Sequence, residues 1–257
     1  MTVTVTMTVT VNKWYTKMAK QLYNYIQQLT TTVTTYLKGT KTTRCLLLTL
    51  LLFVVTTSYG IDIQKLLQSV VVLQDKATSG TGFFVSSNGY ILTNSHVVYS
   101  VVKSTIVVRG NMGVYIFPGL TVVDFVVVKN DPVMDLALLR LSSFTITPQY
   151  LQLSHKPTYM GDNVYIMSSP FTLGWLLTTS LVSGYITERQ SGLNYMVLQH
   201  GAWPGSSGGP VVNNHGEVVG VIRANIGSRG IGGLVVVTPV KTVKAFLRGT
   251  PAEVPGE

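Results

Sequence analysis

From residue 69 onward the chain alternates short apolar runs with groups of glycine, asparagine, aspartate and proline. Runs of about four to eight residues bounded by such turn residues are typical of strands in a sandwich or barrel. The clearest unit is GTGFFVSSNGYILTN, residues 80–94, where Asn88-Gly89 separates two alternating runs and predicts a tight hairpin turn. Further strands are expected at 105–108, 122–128, 136–141, 163–167, 177–187, 195–199, 217–222 and 233–237. The pattern predicts an all-β protein.

A less apolar, proline-containing stretch from Ser142 to Pro157 is the predicted seam between two halves. It divides an N-terminal β domain, 65–145, from a C-terminal one, 146–250. In the last run, Val240, Val243 and Leu247 have helical spacing, which predicts a C-terminal helix that caps the second half.

The first 60 residues follow other patterns. Residues 1–12 alternate Thr and Val, which is both a strand signature and low-complexity sequence, and they receive no assignment. From Lys13 to Leu37 apolar positions recur every three or four residues, which predicts a basic amphipathic helix on a membrane surface or, alternatively, one that faces a partner. Residues 45–60 form an apolar stretch shorter than the roughly 20 residues that span a bilayer. This stretch is expected to be an uncleaved anchor or a cleaved export signal.

The charge distribution determines the expected partners. The net charge is +9, but residues 1–44 hold six basic residues and no acid, which leaves 13 basic (19 less 6) against 10 acidic residues in the rest. A basic segment before an apolar run is typical of the cytoplasmic side of a membrane, so membrane contact through residues 13–60 is expected rather than nucleic-acid binding. The β domains are then expected on the non-cytoplasmic side, anchored, or secreted if the segment is cleaved.

Composition agrees with strands, since hydrophobic residues make up 46% and charged residues only 11% of the 257 residues. The single cysteine, Cys45, cannot form an internal disulfide. The histidines show no metal-ligand spacing with one another or with Cys45, so neither a metal nor another cofactor is predicted.

Candidate acid–base residues are few. Of the four histidines, His96 ends the hairpin strand, where a sheet can deliver a side chain to a cleft, and is the predicted general base. His200 could line a pocket. Asp135 opens an apolar strand, and because a buried carboxylate needs a hydrogen-bond partner, an imidazole would satisfy it. Asp131 and Asp124 remain alternatives.

A serine nucleophile needs a base to take its proton. Ser207 in Gly205-Ser206-Ser207-Gly208-Gly209-Pro210 is the predicted nucleophile, and Gly205 permits a turn in which its N–H and that of Ser207 point at one spot. Such a segment alone has low specificity, and it gains weight from following His96 and Asp135 in an all-β chain.

Over residues 65–248 the chain resembles the HtrA (Deg) type of trypsin-like serine proteases. The resemblance is carried, in the family's order, by SGTGFFVSSNGYILTNSHVV, DPVMDLALLRL, GDNVYIMSSPFTLG with LVSGYITE, PGSSGGPVVNNHGEVVGV and IGGLVVVTPVKTVKAFL. It implies a chymotrypsin fold of two six-stranded antiparallel barrels with the cleft between them. It also implies His96 as base, Asp135 as its orienting partner, Ser207 as nucleophile, and the N–H groups of Gly205, Ser206 and Ser207 as the oxyanion hole.

The resemblance further implies a serine endopeptidase that acts on unfolded or exported polypeptides, and a homotrimer. A dedicated processing protease and an inactive peptide-binding module are the alternatives. The PDZ domain that often follows such proteases is not expected, because the chain ends about ten residues after the last helix.

The substrate pocket is expected to involve Gly201, Ala202, Trp203, Ile222 and Ala224. Gly201 takes the floor position of a trypsin-like pocket and supplies no carboxylate, so cleavage after small or medium apolar residues is predicted. Trp203 stands where relatives commonly have Asn, and Ser206 replaces the acid that digestive trypsins use for activation.

Overall fold

The computed structural model describes residues 60–75, 79–102, 105–108, 113–116, 124–142, 147–226 and 233–253, together with Asn24, Gln27 and Gln28. The chain divides into two units, residues 1–59 and 60–257. In the first unit the three described residues are helical, whereas the rest of the expected amphipathic helix and the apolar segment up to residue 59 lie outside the described residues. Among the described residues, no helix combines the length and apolar character needed to cross a membrane.

Strands make up most of the secondary structure described in the second unit, which confirms the all-β class. Its helices are α1 (Ile63–Ser69), α2 (Ser95–Val98), a 3-10 turn (Pro170–Thr172) and α3 (Val240–Leu247). Its strands are β1 (Val70–Gln74), β2 (Ser79–Phe84), β3 (Tyr90–Thr93), β4 (Tyr99–Val102), β5 (Thr105–Val108), β6 (Gly113–Ile116), β7 (Phe125–Asp131), β8 (Leu136–Leu141), β9 (Asn163–Ser168), β10 (Leu176–Thr187), β11 (Asn194–Leu198), β12 (Pro210–Val212), β13 (Val218–Ile226) and β14 (Leu234–Pro239).

The first half contains a six-stranded antiparallel sheet in the order β6-β1-β2-β3-β8-β7, beside a two-stranded sheet of β4 and β5. The hairpin predicted around Asn88-Gly89 is present, since β2 pairs with β3 and Gly89 has the left-handed φ of +76°. The expected closure of this half is not seen among the described residues, where pairing ends at β6 and β7. The stretches 109–112 and 117–123, which flank β6, lie outside the described residues.

Alternation along β2, β3 and β8 divides the apolar side chains between two cores. Phe84, Ile91 and Leu139 lie in the core of the first half. Phe83, Leu92 and Leu138 face the other way, into a cluster that also holds Val212, Val218 and Val221 of the second half. The two halves therefore share one buried apolar interface.

The second half is a closed six-stranded barrel, β10-β11-β14-β13-β12-β9, with its own apolar core. Helix α3 follows β14 directly, and Val243, Phe246 and Leu247 bury its apolar face in the shared interface. This confirms the predicted C-terminal helix. The connection between the halves crosses the same interface, where Leu151 N–H donates to the Phe84 carbonyl at 2.9 Å.

Candidate active site

His96 lies on α2, a single helical turn that begins two residues after β3 ends. Val97 and Val98 of this turn are buried in the first core, so their packing fixes the backbone that carries the imidazole. The His96 side chain itself is 48% exposed. The Asn94 side chain ties the start of this turn to another segment, because its Nδ2 donates to the Asp135 carbonyl at 2.9 Å.

Asp135 holds the His96 imidazole. His96 Nδ1 lies 2.8 Å from Asp135 Oδ2 and 3.0 Å from Oδ1, and the His96 backbone N–H also donates to Oδ1 at 3.0 Å. Since an ionised carboxylate only accepts, the Nδ1 atom carries the proton and Nε2 is the basic nitrogen of the neutral ring. The pair thus has the orientation that a general base requires.

The backbone at Asp135 is strained to place this carboxylate. Asp135 has a φ of +54° and is only 7% exposed, at the turn between β7 and β8. A left-handed conformation costs a non-glycine residue about 1–2 kcal/mol, and aspartate tolerates it better than most. Asp131 stabilises the turn, since its Oδ1 accepts from the N–H groups of Val133 and Met134 at 2.9 Å each. Of the three acids weighed from sequence, Asp135 is the one that the structure places against the His96 imidazole.

Arg223 is a further member of the site and was not among the residues predicted from the sequence. Its Nε lies 3.7 Å from Asp135 Oδ2, and its guanidinium stacks over the Tyr195 ring, 4.7 Å from the centroid, and hydrogen-bonds the Tyr195 hydroxyl. The only sequence signal was an arginine within an apolar strand.

Ser207, in the second half of the unit, contacts Arg223 and Thr81. Its Oγ donates to the Arg223 carbonyl at 3.4 Å, and its own carbonyl accepts from Thr81 N–H at 2.8 Å. The next residue, Gly208, has a φ of +85°, and a Cβ there would lie 3.1 Å from the Asn94 nitrogen. Asn94 is two residues before His96, so the close approach at Gly208 brings Ser207 beside the segment that carries the base.

A tight turn precedes the nucleophile. Ser206 N–H donates to the Trp203 carbonyl at 2.8 Å, with Pro204 second and Gly205 third in the turn. Gly205 has a φ of +97°, which is the geometry of a type II turn, with proline second and glycine third. The Pro204 carbonyl accepts from Phe171 N–H at 2.8 Å.

These carbonyl contacts orient the oxyanion donors. In a trans peptide the N–H and C=O point in opposite directions, so the Gly205 N–H is directed away from Phe171. The Ser206 carbonyl likewise accepts from Gly209 N–H at 3.0 Å, which directs the Ser207 N–H away from Gly209. Neither the Gly205 nor the Ser207 N–H has an acceptor within the described part of the chain.

Ser206 differs from the expectation for the oxyanion hole. Its N–H closes the turn onto Trp203 and is therefore not available beside those of Gly205 and Ser207. Its side chain is fully buried, where Oγ accepts from Trp203 N–H at 3.1 Å and from Ser168 Oγ at 3.0 Å. Ser206 thus stabilises the turn through hydrogen bonds of both its backbone N–H and its side chain with Trp203.

The five expected pocket residues divide into two groups. Gly201 is buried with a φ of +105°, and Ala202 and Ile222 pack in the barrel core. Trp203 and Ala224 are exposed, Trp203 by 42%. His200 is also exposed, and its N–H donates to Ser180 Oγ at 3.2 Å. None of these side chains carries a carboxylate.

The fold and these contacts define a chymotrypsin-like peptidase architecture, and the sequence agrees. Residues 80–221 match the family model of the trypsin-like peptidase domain, and the chain belongs to that family.

Relatives of the HtrA type are found, as the motifs predicted. The chain is 32% identical over 184 residues to serine protease HTRA2, mitochondrial, of Drosophila virilis, covering 68% of this chain and 40% of that protein. It is 33% identical over 151 residues to serine protease HTRA1 of Xenopus laevis, covering 56% of this chain and 31% of that one. The chain thus spans well under half the length of these relatives.

A solved structure shares the fold. The active form of the Rv3671c protease from M. tuberculosis has a TM-score of 0.61 at 22% identity, covering 76% of this chain and 86% of the other.

Proposed function

We propose that the chain is a serine endopeptidase that hydrolyses peptide bonds through an acyl-enzyme, with Ser207 as nucleophile, His96 as general base and Asp135 as its orienting partner. The observation that carries the proposal is the His96–Asp135 contact of 2.8 Å beside a turn with two N–H groups, those of Gly205 and Ser207, that have no acceptor among the described residues.

In the first step Ser207 Oγ attacks the substrate carbonyl carbon while His96 Nε2 takes the hydroxyl proton. The Ser207 hydroxyl must leave the Arg223 carbonyl, and at 3.4 Å that hydrogen bond is weak. Asp135 stabilises the imidazolium, and the Gly205 and Ser207 N–H groups stabilise the oxyanion.

In the next step His96 gives its proton to the leaving amine as the C–N bond breaks, and Ser207 keeps the acyl group as an ester. Water then attacks the ester, again with His96 as base. The carboxylic acid product is released, and the Ser207 hydroxyl is regenerated. Each step uses the same two N–H donors, which must therefore stay in place throughout turnover.

The first prediction concerns the nucleophile. A fluorophosphonate is expected to label the full chain once, on the peptide that contains Ser207, because only an activated hydroxyl beside an oxyanion site reacts readily. The labelled residue is identified by tandem mass spectrometry of the digested protein, since Ser206 and Ser207 lie in the same peptide. Ser206 is the internal control, since it is adjacent but fully buried.

Labelling is expected to be lost in Ser207→Ala and in His96→Ala. A folded wild-type protein that is never labelled would contradict the proposal and favour an inactive peptide-binding module. Labelling that persists in His96→Ala would contradict the assignment of the base.

The second prediction concerns primary specificity. We expect kcat/KM to be more than about 10-fold higher for peptides with Ala, Val or Leu before the cleaved bond than for those with Lys or Arg, because the pocket residues hold no carboxylate to pair with a cation. The measurement is a fluorogenic peptide panel that varies only this position. A kcat/KM more than about 10-fold higher for Lys or Arg peptides would refute this prediction.

The substrates, location and assembly are proposed from the sequence. Unfolded or exported proteins are the proposed substrates, and a dedicated partner is the alternative. The basic segment 1–44 and the apolar segment 45–60 support a membrane tether with the peptidase on the non-cytoplasmic side, or secretion after cleavage. A homotrimer and closure of the first half into a second barrel are proposed by family likeness alone.

A further inference from the structure

Thr81 on β2 contacts both residues that supply the oxyanion N–H groups. Its backbone N–H donates to the Ser207 carbonyl at 2.8 Å, and its Oγ1 donates to the Gly205 carbonyl at 2.8 Å. The same Oγ1 accepts from the Ser169 N–H at 3.0 Å. Thr81 is fully buried, so water cannot take the place of these hydrogen-bond partners.

The most easily deformed point of the turn is its central peptide, between Pro204 and Gly205. A type II turn becomes type I when its central peptide rotates, which takes the third residue from a positive φ to about −90°. Glycine populates both regions readily, so Gly205 gives little intrinsic preference for its observed φ of +97°. In the rotated form the Gly205 N–H points away from the oxyanion position.

The hydrogen bond from the Phe171 N–H to the Pro204 carbonyl selects the type II form, because that carbonyl belongs to the central peptide. The Thr81 hydroxyl supports this bond by linking Ser169, two residues before Phe171, to the Gly205 carbonyl of the turn. Thr81 is in turn fixed by Thr93, whose Oγ1 donates to the Thr81 carbonyl at 2.7 Å. Strand β3, which precedes the general base, thus fixes through Thr93 the residue on β2 that supports the oxyanion turn.

We propose that Thr81 is a positioning residue for the oxyanion hole: its hydroxyl, bridging the Ser169 amide and the Gly205 carbonyl, keeps the Gly205 N–H directed at the developing oxyanion. This inference rests on the proposed function, because the oxyanion exists only if Ser207 attacks a carbonyl.

The test compares Thr81→Val, which keeps the shape without the hydroxyl, with Thr81→Ser, which keeps the hydroxyl. In Thr81→Val we expect kcat to fall about 10- to 100-fold with KM within about threefold, since losing one oxyanion donor outright costs about 10²–10³. A peptide aldehyde, which forms a tetrahedral adduct with Ser207, is expected to bind more weakly by the same factor. Thr81→Ser is expected to restore kcat to within about threefold of wild type.

Thr238→Val is the matched control. Thr238 is also fully buried, and its hydroxyl has no hydrogen-bond partner among the described residues, so the same change removes no bond. Its kcat is expected to stay within about twofold of wild type. If Thr81→Val does not fold, Thr81→Cys replaces it, because a thiol is a weak donor, and its kcat is expected to fall well below that of Thr81→Ser.

Wild-type kcat in Thr81→Val would overturn the inference, as would a loss in Thr81→Ser equal to that in Thr81→Val. Where Thr81→Cys is used, kcat equal to that of Thr81→Ser would do the same. Fluorophosphonate labelling separates this failure from that of the proposed function: a wild type that never labels refutes the peptidase, whereas equal labelling rates in wild type and Thr81→Val refute only the role of Thr81.

Discussion

Asp135→Asn is expected to lower kcat about 10⁴-fold while the protein stays folded. The His96 backbone N–H donates to Asp135 Oδ1 at 3.0 Å, and the amide oxygen of an asparagine can accept the same hydrogen bond. Its NH₂ group then faces Nδ1 and donates to it, which forces the ring proton onto Nε2. With Nε2 protonated, His96 cannot take the proton of Ser207. Steady-state hydrolysis of the preferred peptide measures the loss.

Asp131→Asn is the control, in the same turn and with the same change. Asp131 only accepts from the N–H groups of Val133 and Met134, and an asparagine oxygen does this equally well. Its kcat is expected within about twofold of wild type, and circular dichroism verifies that both variants fold. Similar losses in the two variants would mean that the turn, rather than the His96 tautomer, is what Asp135 supports.

The sequence was sufficient to predict that Asp135 and His96 lie together. Asp135 was predicted because a carboxylate at the start of a buried strand needs a partner, and the structure places it against His96. His96 was predicted from its position at the end of the hairpin, and that hairpin is present. Both predictions rest on local pattern, where sequence carries most of the information.

What the sequence could not predict depends on long-range contacts. Thr81 and Gly205 are 124 residues apart, and no local pattern shows that a hydroxyl on β2 meets that turn. Arg223 was not predicted, because its guanidinium reaches Asp135 from β13 while it stacks on Tyr195 of β11, and neither partner is close to it in sequence. Ser206 was expected to donate to the oxyanion, but the turn that places its two neighbours uses its own N–H.

Gly208→Ala is expected to reduce the free energy of unfolding by about 3 kcal/mol or more. A Cβ at this position would lie 2.1 Å from the Thr81 carbonyl oxygen and 2.2 Å from Thr93 Oγ1. The Thr81 backbone is held by pairing in β2, so it cannot move aside cheaply, and overpacking of this kind costs about 1–3 kcal/mol. The φ of +85° adds about 1–2 kcal/mol for any residue with a Cβ.

Gly216→Ala separates these two costs. Gly216 has a similar φ of +76° in the turn between β12 and β13, but a Cβ there would meet nothing within 4 Å. It is therefore expected to lose only about 1 kcal/mol, and urea denaturation of the full chain measures both variants. Failure of Gly208→Ala to fold while Gly216→Ala folds is the same result in its extreme form. Equal losses in the two variants would contradict the close approach at Gly208, and with it the packing that sets Ser207 beside the His96 segment.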